Sequence, residues 1–145
     1  MAEISKITVV PYTVSEMYAL VNDIESYPAF LPWCTAAKIL SQQDESLTAT
    51  LSLALGKIKQ SFTTENTMRD GSRIDMRLIE GPFKHLSGCW KFNSEDKQSC
   101  HIYLHMNYEF KSKIIKYTLG KAFYIVVDTL VESFVQRAQQ IYGNR

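Results

Sequence analysis

Two hydrophobic periods divide this chain. From about Ser112 to Tyr142, apolar residues recur at steps of three and four: Ile115, Leu119, Ala122, Phe123, Val126, Leu130, Phe134, Ala138 and Ile141. That is the spacing of one helical face. Val127, Val131 and Val135 broaden the face beyond the stripe of an ordinary surface helix. The stretch has no proline and one interior glycine, Gly120. At 1.5 Å per residue, the predicted helix is roughly 45 Å long. A helix so long and so broadly apolar needs a large apolar partner surface.

The middle of the chain supplies that surface with a period of two. Leu47, Ala49, Leu51, Leu53 and Leu55 alternate with Thr48, Thr50, Ser52 and Ala54, as in a half-buried antiparallel strand. Gly56-Lys57 turns into a strand with Ile58, Gln60, Phe62, Thr64, Asn66 and Met68 on one face. Asp70-Gly71 is a hairpin signal, followed by alternating Ile74, Met76 and Leu78. After Gly81-Pro82, Leu86, Gly88, Trp90 and Phe92 share a parity. In the last strand Ile102, Leu104, Met106, Tyr108 and Phe110 point one way, His101, Tyr103, His105 and Asn107 the other.

Upstream, Glu3 to Val10 reads as a β-branched strand stopped by Pro11. Thr13 and Glu16 have capping-box spacing before a helix that carries Val14, Met17, Tyr18, Leu20 and Val21 and fades at Asn22-Asp23. In the segment Tyr27-Pro28-Ala29-Phe30-Leu31-Pro32-Trp33-Cys34, two prolines limit any helix to about one turn. A short strand, Thr35 to Ser41, follows. The order strand, two short helices, six strands, long helix predicts an α+β fold. Its economical form is a seven-stranded antiparallel sheet curled around the terminal helix. The space between them is filled by side chains or left as a pocket.

Composition narrows the function classes. A chain of 145 residues has the size of one domain, residues 1–145. A net charge of +1 gives no global signal for nucleic acid, and DNA is not an expected partner. Cys34, Cys89 and Cys100 fit neither a disulfide framework nor a metal motif; they read as reduced thiols. With no signal-peptide plan and no apolar run of about 20 residues, the chain reads as soluble and cytoplasmic.

Three segments resemble one family. Val21 to Cys34, with its Tyr-Pro-x-Phe-Leu-Pro-Trp-Cys core, is similar to the signature of coenzyme Q-binding proteins, a family that includes the bacterial ribosome association toxin. Gly81-Pro82-Phe83-Lys84-His85-Leu86 with Trp90-Lys91-Phe92 resembles its sixth-strand pattern. Tyr108 to Ile115, then Gly120 and Phe134-Val135-Gln136-Arg137-Ala138, resembles its strand-to-helix passage. One departure is Glu65, where the pattern has a basic residue. The resemblance implies a helix-grip, START-like fold of the polyketide cyclase superfamily. It implies non-catalytic binding of an isoprenoid, foremost ubiquinone, by a carrier supporting respiratory electron transfer. No cofactor is required, and contact with the inner membrane would be peripheral and transient. The alternative it implies is binding of the large ribosomal subunit, which blocks subunit association.

On this reading the ligand-binding residues are Phe30, Leu31, Trp33, Phe62, Phe83, Leu86, Trp90, Phe123, Val127, Leu130 and Phe134, with Gln60, Thr64 and Asn66 at the polar end. Taken residue by residue, plain core packing explains the apolar ones more simply. The polar three share parity with Ile58, Phe62 and Met68, and each buried unpaired would cost about 1–3 kcal/mol. The superfamily's enzymes make catalysis a third reading, but His85, His101 and His105 all have outward parity, so no acid–base dyad is expected. Nor is a metal site, because His101 and His105 are about 13 Å apart along a strand. Lys111, Lys113, Lys116 and Lys121 precede any acid until Asp128, a candidate surface for phosphate of lipid head groups or ribosomal RNA.

Overall fold

The computed structural model describes residues 2–145. Strand β1 (Ala2–Val10) leads into α1 (Val14–Asn22) and a 3₁₀ segment (Ile24–Ala29). Six strands follow, β2 (Cys34–Gln42), β3 (Ser46–Leu55), β4 (Ile58–Arg69), β5 (Arg73–Glu80), β6 (Phe83–Ser94) and β7 (Cys100–Phe110). Helix α2 (Lys113–Tyr142) closes the chain. The strands form one antiparallel sheet in the order β1-β7-β6-β5-β4-β3-β2. The meander is thus local except where β1 pairs with β7. This is the curved sheet around a long terminal helix that the two periods predict.

The curl has identifiable causes. Register shifts interrupt the β2–β3, β4–β5 and β6–β7 ladders, and a bulge bends its strand and increases its twist. One shift lies between Thr63 and Thr64, which pair with Glu80 and Leu78, so Ile79 is left without a partner and is exposed. On the concave side Leu47, Leu53, Ile74, Leu86, Trp90, Ile102 and Leu104 meet Leu119, Phe123, Val127, Val131 and Phe134 of α2 in one core. Each such side chain contributes about 1.5–3 kcal/mol through burial.

The ends of both helices are tied. Thr13 Oγ1 accepts from Glu16 N at 3.1 Å while Glu16 Oε1 accepts from Thr13 N at 2.9 Å. The predicted capping box is therefore complete. Ser112 caps α2 by accepting from Ile115 N at 3.1 Å. At its far end, Tyr12 donates to the Gly143 carbonyl at 2.6 Å and Tyr142 donates to the Glu16 carbonyl at 3.0 Å. Ile141, assigned above to the apolar face, is exposed, because the last turn faces solvent. Within the segment Tyr27 to Cys34 only Tyr27, Pro28 and Ala29 are helical, as the last half of the 3₁₀ segment, which is the single turn that the two prolines allow.

Candidate functional site

An apolar cavity of about 80 Å³ lies between α2 and the concave face. Helix α2 contributes Phe123, Val126, Val127, Leu130 and Phe134. The sheet contributes Ala49, Leu51 and Leu53 from β3, Phe62, Thr64 and Asn66 from β4, and Met76, Leu86, Trp90 and Met106 from β5 to β7. Ile24 and Tyr27 of the 3₁₀ segment and Trp33 beyond it close one side. Alternation explains the sheet's share: one residue in two faces the helix.

Ten of the fourteen ligand-site residues named from sequence line this cavity: Trp33, Phe62, Thr64, Asn66, Leu86, Trp90, Phe123, Val127, Leu130 and Phe134. Four do not. Leu31 is wholly buried in the core, and Phe30 covers Phe134 from behind, with ring centroids 5.2 Å apart. Phe83 belongs to an aromatic cluster at the cavity's end, stacked on Phe110 at 5.1 Å and against Phe123 at 5.0 Å. Gln60 is a correction to the parity argument. It is exposed because β4 outruns β5, whose first pairing is Thr63 with Glu80. Beyond that point an inward parity no longer means an interior.

Sequence reasoning missed the sheet-side methionines. Met76 and Met106 both pair with Gly88 across the sheet, and both line the cavity. A Cβ on Gly88 would stand 2.3 Å from Met106 Sδ, 2.9 Å from Met76 Cε and 3.0 Å from the His105 carbonyl. The bare backbone there lets two thioethers converge on the cavity floor. The signal lay in Gly88 itself, a glycine at an inward position of a strand.

The cavity's polarity is confined to one wall. Thr64 Oγ1 donates to Asn66 Oδ1 at 2.8 Å, which leaves the Asn66 amide nitrogen free to donate to a guest. Among the described residues the lining holds no carboxylate, imidazole, amine or thiol. Its one ionisable group, Tyr27, donates to the Val21 carbonyl, and burial raises its phenol above the ordinary range. The histidines lie elsewhere. His105 contacts Ser5 and Glu3, His101 contacts Glu95, and His85 meets Asn107 at 3.3 Å. Among the described residues no group of His, Cys, Asp and Glu is placed to hold a metal. Glu65, the departure from the family pattern, is neutralised by Arg77 at 2.9 Å.

The four lysines line a second, open groove of about 550 Å³ between the end of β7 and the start of α2. Tyr108, Phe110, Gly120 and Tyr124 share its walls. The first turn of α2 contains no acid, so lysines near it oppose the helix dipole by about 0.3–1 kcal/mol each.

A helix held in a curved antiparallel sheet, with an apolar cavity between, defines the helix-grip, START-like class. The chain belongs to the family described as polyketide cyclase / dehydrase and lipid transport, whose model matches residues 10–135. Over 145 residues it is 39% identical to ribosome association toxin RatA of Escherichia coli K12, covering 100% of this chain and 92% of that one. It is 26% identical to the mitochondrial coenzyme Q-binding protein COQ10 homolog B of Xenopus laevis, over 99% of this chain and 60% of that one. In three dimensions it matches the crystal structure of the Zhui aromatase/cyclase from Streptomyces at a TM-score of 0.85 and 13% identity, covering 96% and 94% of the two chains; this similarity concerns the fold. Among the described residues no helix is long and apolar enough to cross a membrane.

Proposed function

We propose that this protein acts by binding rather than by chemistry, and that its macromolecular partner is the large ribosomal subunit, whose joining to the small subunit it blocks. The observation that carries this reading is the 39% identity to a ribosome association toxin along the whole chain. A cavity lined by no acid, base or nucleophile beyond a buried phenol supports the absence of catalysis, because cyclisation and dehydration require proton transfer. Sedimentation through a sucrose gradient tests it. The protein is expected to travel with free large subunits and to lower the yield of joined ribosomes when both subunits are mixed. A protein that stays at the top of the gradient and leaves joining unchanged overturns the reading.

The cavity favours a second activity, binding of a hydrophobic guest such as the ring of an isoprenoid quinone. Its lining is apolar with one amide donor, the composition that suits a flat, weakly polar ring. At about 80 Å³ it is smaller than the roughly 150 Å³ engineered cavity that holds benzene, so a quinone must displace side chains as it enters. Mass spectrometry of the organic extract of the purified protein tests this. A stoichiometric isoprenoid supports it; an extract without any lipid, together with no uptake of added quinone, removes it.

A further inference from the structure

We propose that the groove between β7 and α2 grips the phosphate backbone of single-stranded ribosomal RNA, with Lys111, Lys113, Lys116 and Lys121 as the contacts and Tyr117 and Tyr124 as platforms for unstacked bases. The inference deepens the ribosome reading and rests on it for the identity of the RNA.

Charge comes first. The whole chain carries a net charge of +1, yet four lysines converge on this one groove. Its single carboxylate, Glu109, is approached by Lys84 at 3.7 Å. The first acid of α2, Asp128, is held by Lys6. Among the described residues the ion pairs engage Lys6, Lys84 and arginines but none of the four groove lysines. The cationic potential is thus focused locally and left uncompensated, which suits a run of phosphates.

Shape and exposure select the partner. Tyr124, on the groove wall, is 50% exposed, and Tyr117, next to Lys116 in α2 but outside the groove lining, is 90% exposed. Exposed rings beside a cationic groove are the elements of sequence-tolerant single-strand binding. An anionic bilayer would share the charge but needs a continuous apolar face to bury. Here the exposed aliphatic side chains of this part of α2, Ile114 at 77% and Ile125 at 53%, are interrupted by exposed Thr118 and Lys121. A concave, lysine-walled groove accommodates a strand better than a membrane plane.

The test compares the unaltered protein with the quadruple variant Lys111→Ala, Lys113→Ala, Lys116→Ala, Lys121→Ala and with the matching quadruple arginine variant. The probes are large subunits, protein-free ribosomal RNA of the large subunit, and vesicles containing phosphatidylglycerol. The alanine variant should bind both RNA-containing probes at least tenfold more weakly. Its plot of log affinity against log salt should be shallower by about 3, at roughly 0.7 per phosphate contact on a single strand. Arginine should restore both. Equal RNA binding by the alanine variant overturns the proposal, as does a loss confined to vesicles, which would assign the groove to lipid head groups. If the unaltered protein ignores subunits but binds the free RNA through these lysines, the ribosome reading fails and the groove assignment stands. Binding to neither RNA probe overturns both.

Discussion

The guanidinium of Arg137 stands over the ring of Phe30, 5.0 Å from its centroid, and so pins the proline-bounded segment to α2. The same ring meets Phe134 edge-on at 5.2 Å, and Phe134 lines the cavity. Arg137→Ala is expected to cost about 0.5–1 kcal/mol, the worth of a cation–π contact near the surface. Phe30→Ala should cost about 2 kcal/mol, less than a fully buried phenylalanine because its ring is half-buried. Urea titration of the two single variants and the double variant should show that the losses do not add, since both remove one shared contact. Additive losses would mean that the contact does not couple the segment to the helix.

Gly88→Ala should destabilise the protein by about 1–3 kcal/mol through overpacking. The cost of Gly88→Ala should be smaller in a Met106→Ala background than in the unaltered protein, since the thioether is the nearest obstacle to the new methyl group. Thermal melts of the single and double variants measure this. An unchanged melting temperature for Gly88→Ala would show that the two methionines move aside without cost.

Filling the cavity should separate the two proposed activities. Val127→Phe places a ring into the space, and its stability cost should stay below the roughly 3–5 kcal/mol of Phe134→Ala, which opens a void. Quinone uptake by the Val127→Phe variant is expected to fall at least tenfold, with subunit sedimentation unchanged. Equal uptake would place the guest outside this cavity.

The course of the strands and the helix was legible because each period has a direct geometric meaning. The capping box at Thr13 and Glu16, the inward set Ile102, Leu104, Met106 and the outward His101 and His105 all follow from spacing alone. What spacing does not carry is the length of a neighbouring strand, and Gln60 shows the consequence: its parity is inward, but no β5 partner lies beside it. Nor does it separate a side chain that lines a space from one packed behind it. Phe83 and Phe123 are equally apolar and equally buried, yet only Phe123 faces the cavity. That distinction depends on which neighbours fill the remaining volume, a property of the whole core.

Stability at acid pH should depend on Glu16. Its carboxylate accepts from Arg145 at 2.7 and 2.8 Å and from the Thr13 amide at 2.9 Å. The arginine first, then the backbone hydrogen bond, hold its pKa below the ordinary 4.5. A carboxyl depressed by folding contributes stability that is complete above its unfolded value and is lost as pH falls through its folded value. Glu16→Gln should therefore melt lower than the unaltered protein near pH 7, with the gap narrowing as pH falls below about 4. A gap independent of pH would show that the ionised form contributes nothing.

The thiols should differ in reactivity. Cys100 is fully buried, with burial raising its pKa to about 11, and Cys34 is buried with its pKa also raised by desolvation. Cys89 is half-buried. Because alkylation requires accessible thiolate, iodoacetamide at about pH 8 should label Cys89 alone, and slowly, in the native protein. Peptide mapping that finds Cys100 labelled without denaturant would show that the β7 end of the core opens readily.

Thioethers supported by a bare glycine make a yielding surface, because methionine has an unbranched, adaptable side chain. Met76 and Met106 are therefore the side chains above Gly88 best able to change rotamer around a guest. Discrimination among guests then falls to the stiffer aromatic side, where Tyr27, Trp33 and Phe134 hold their rings, and not to the bottom on which a guest would settle.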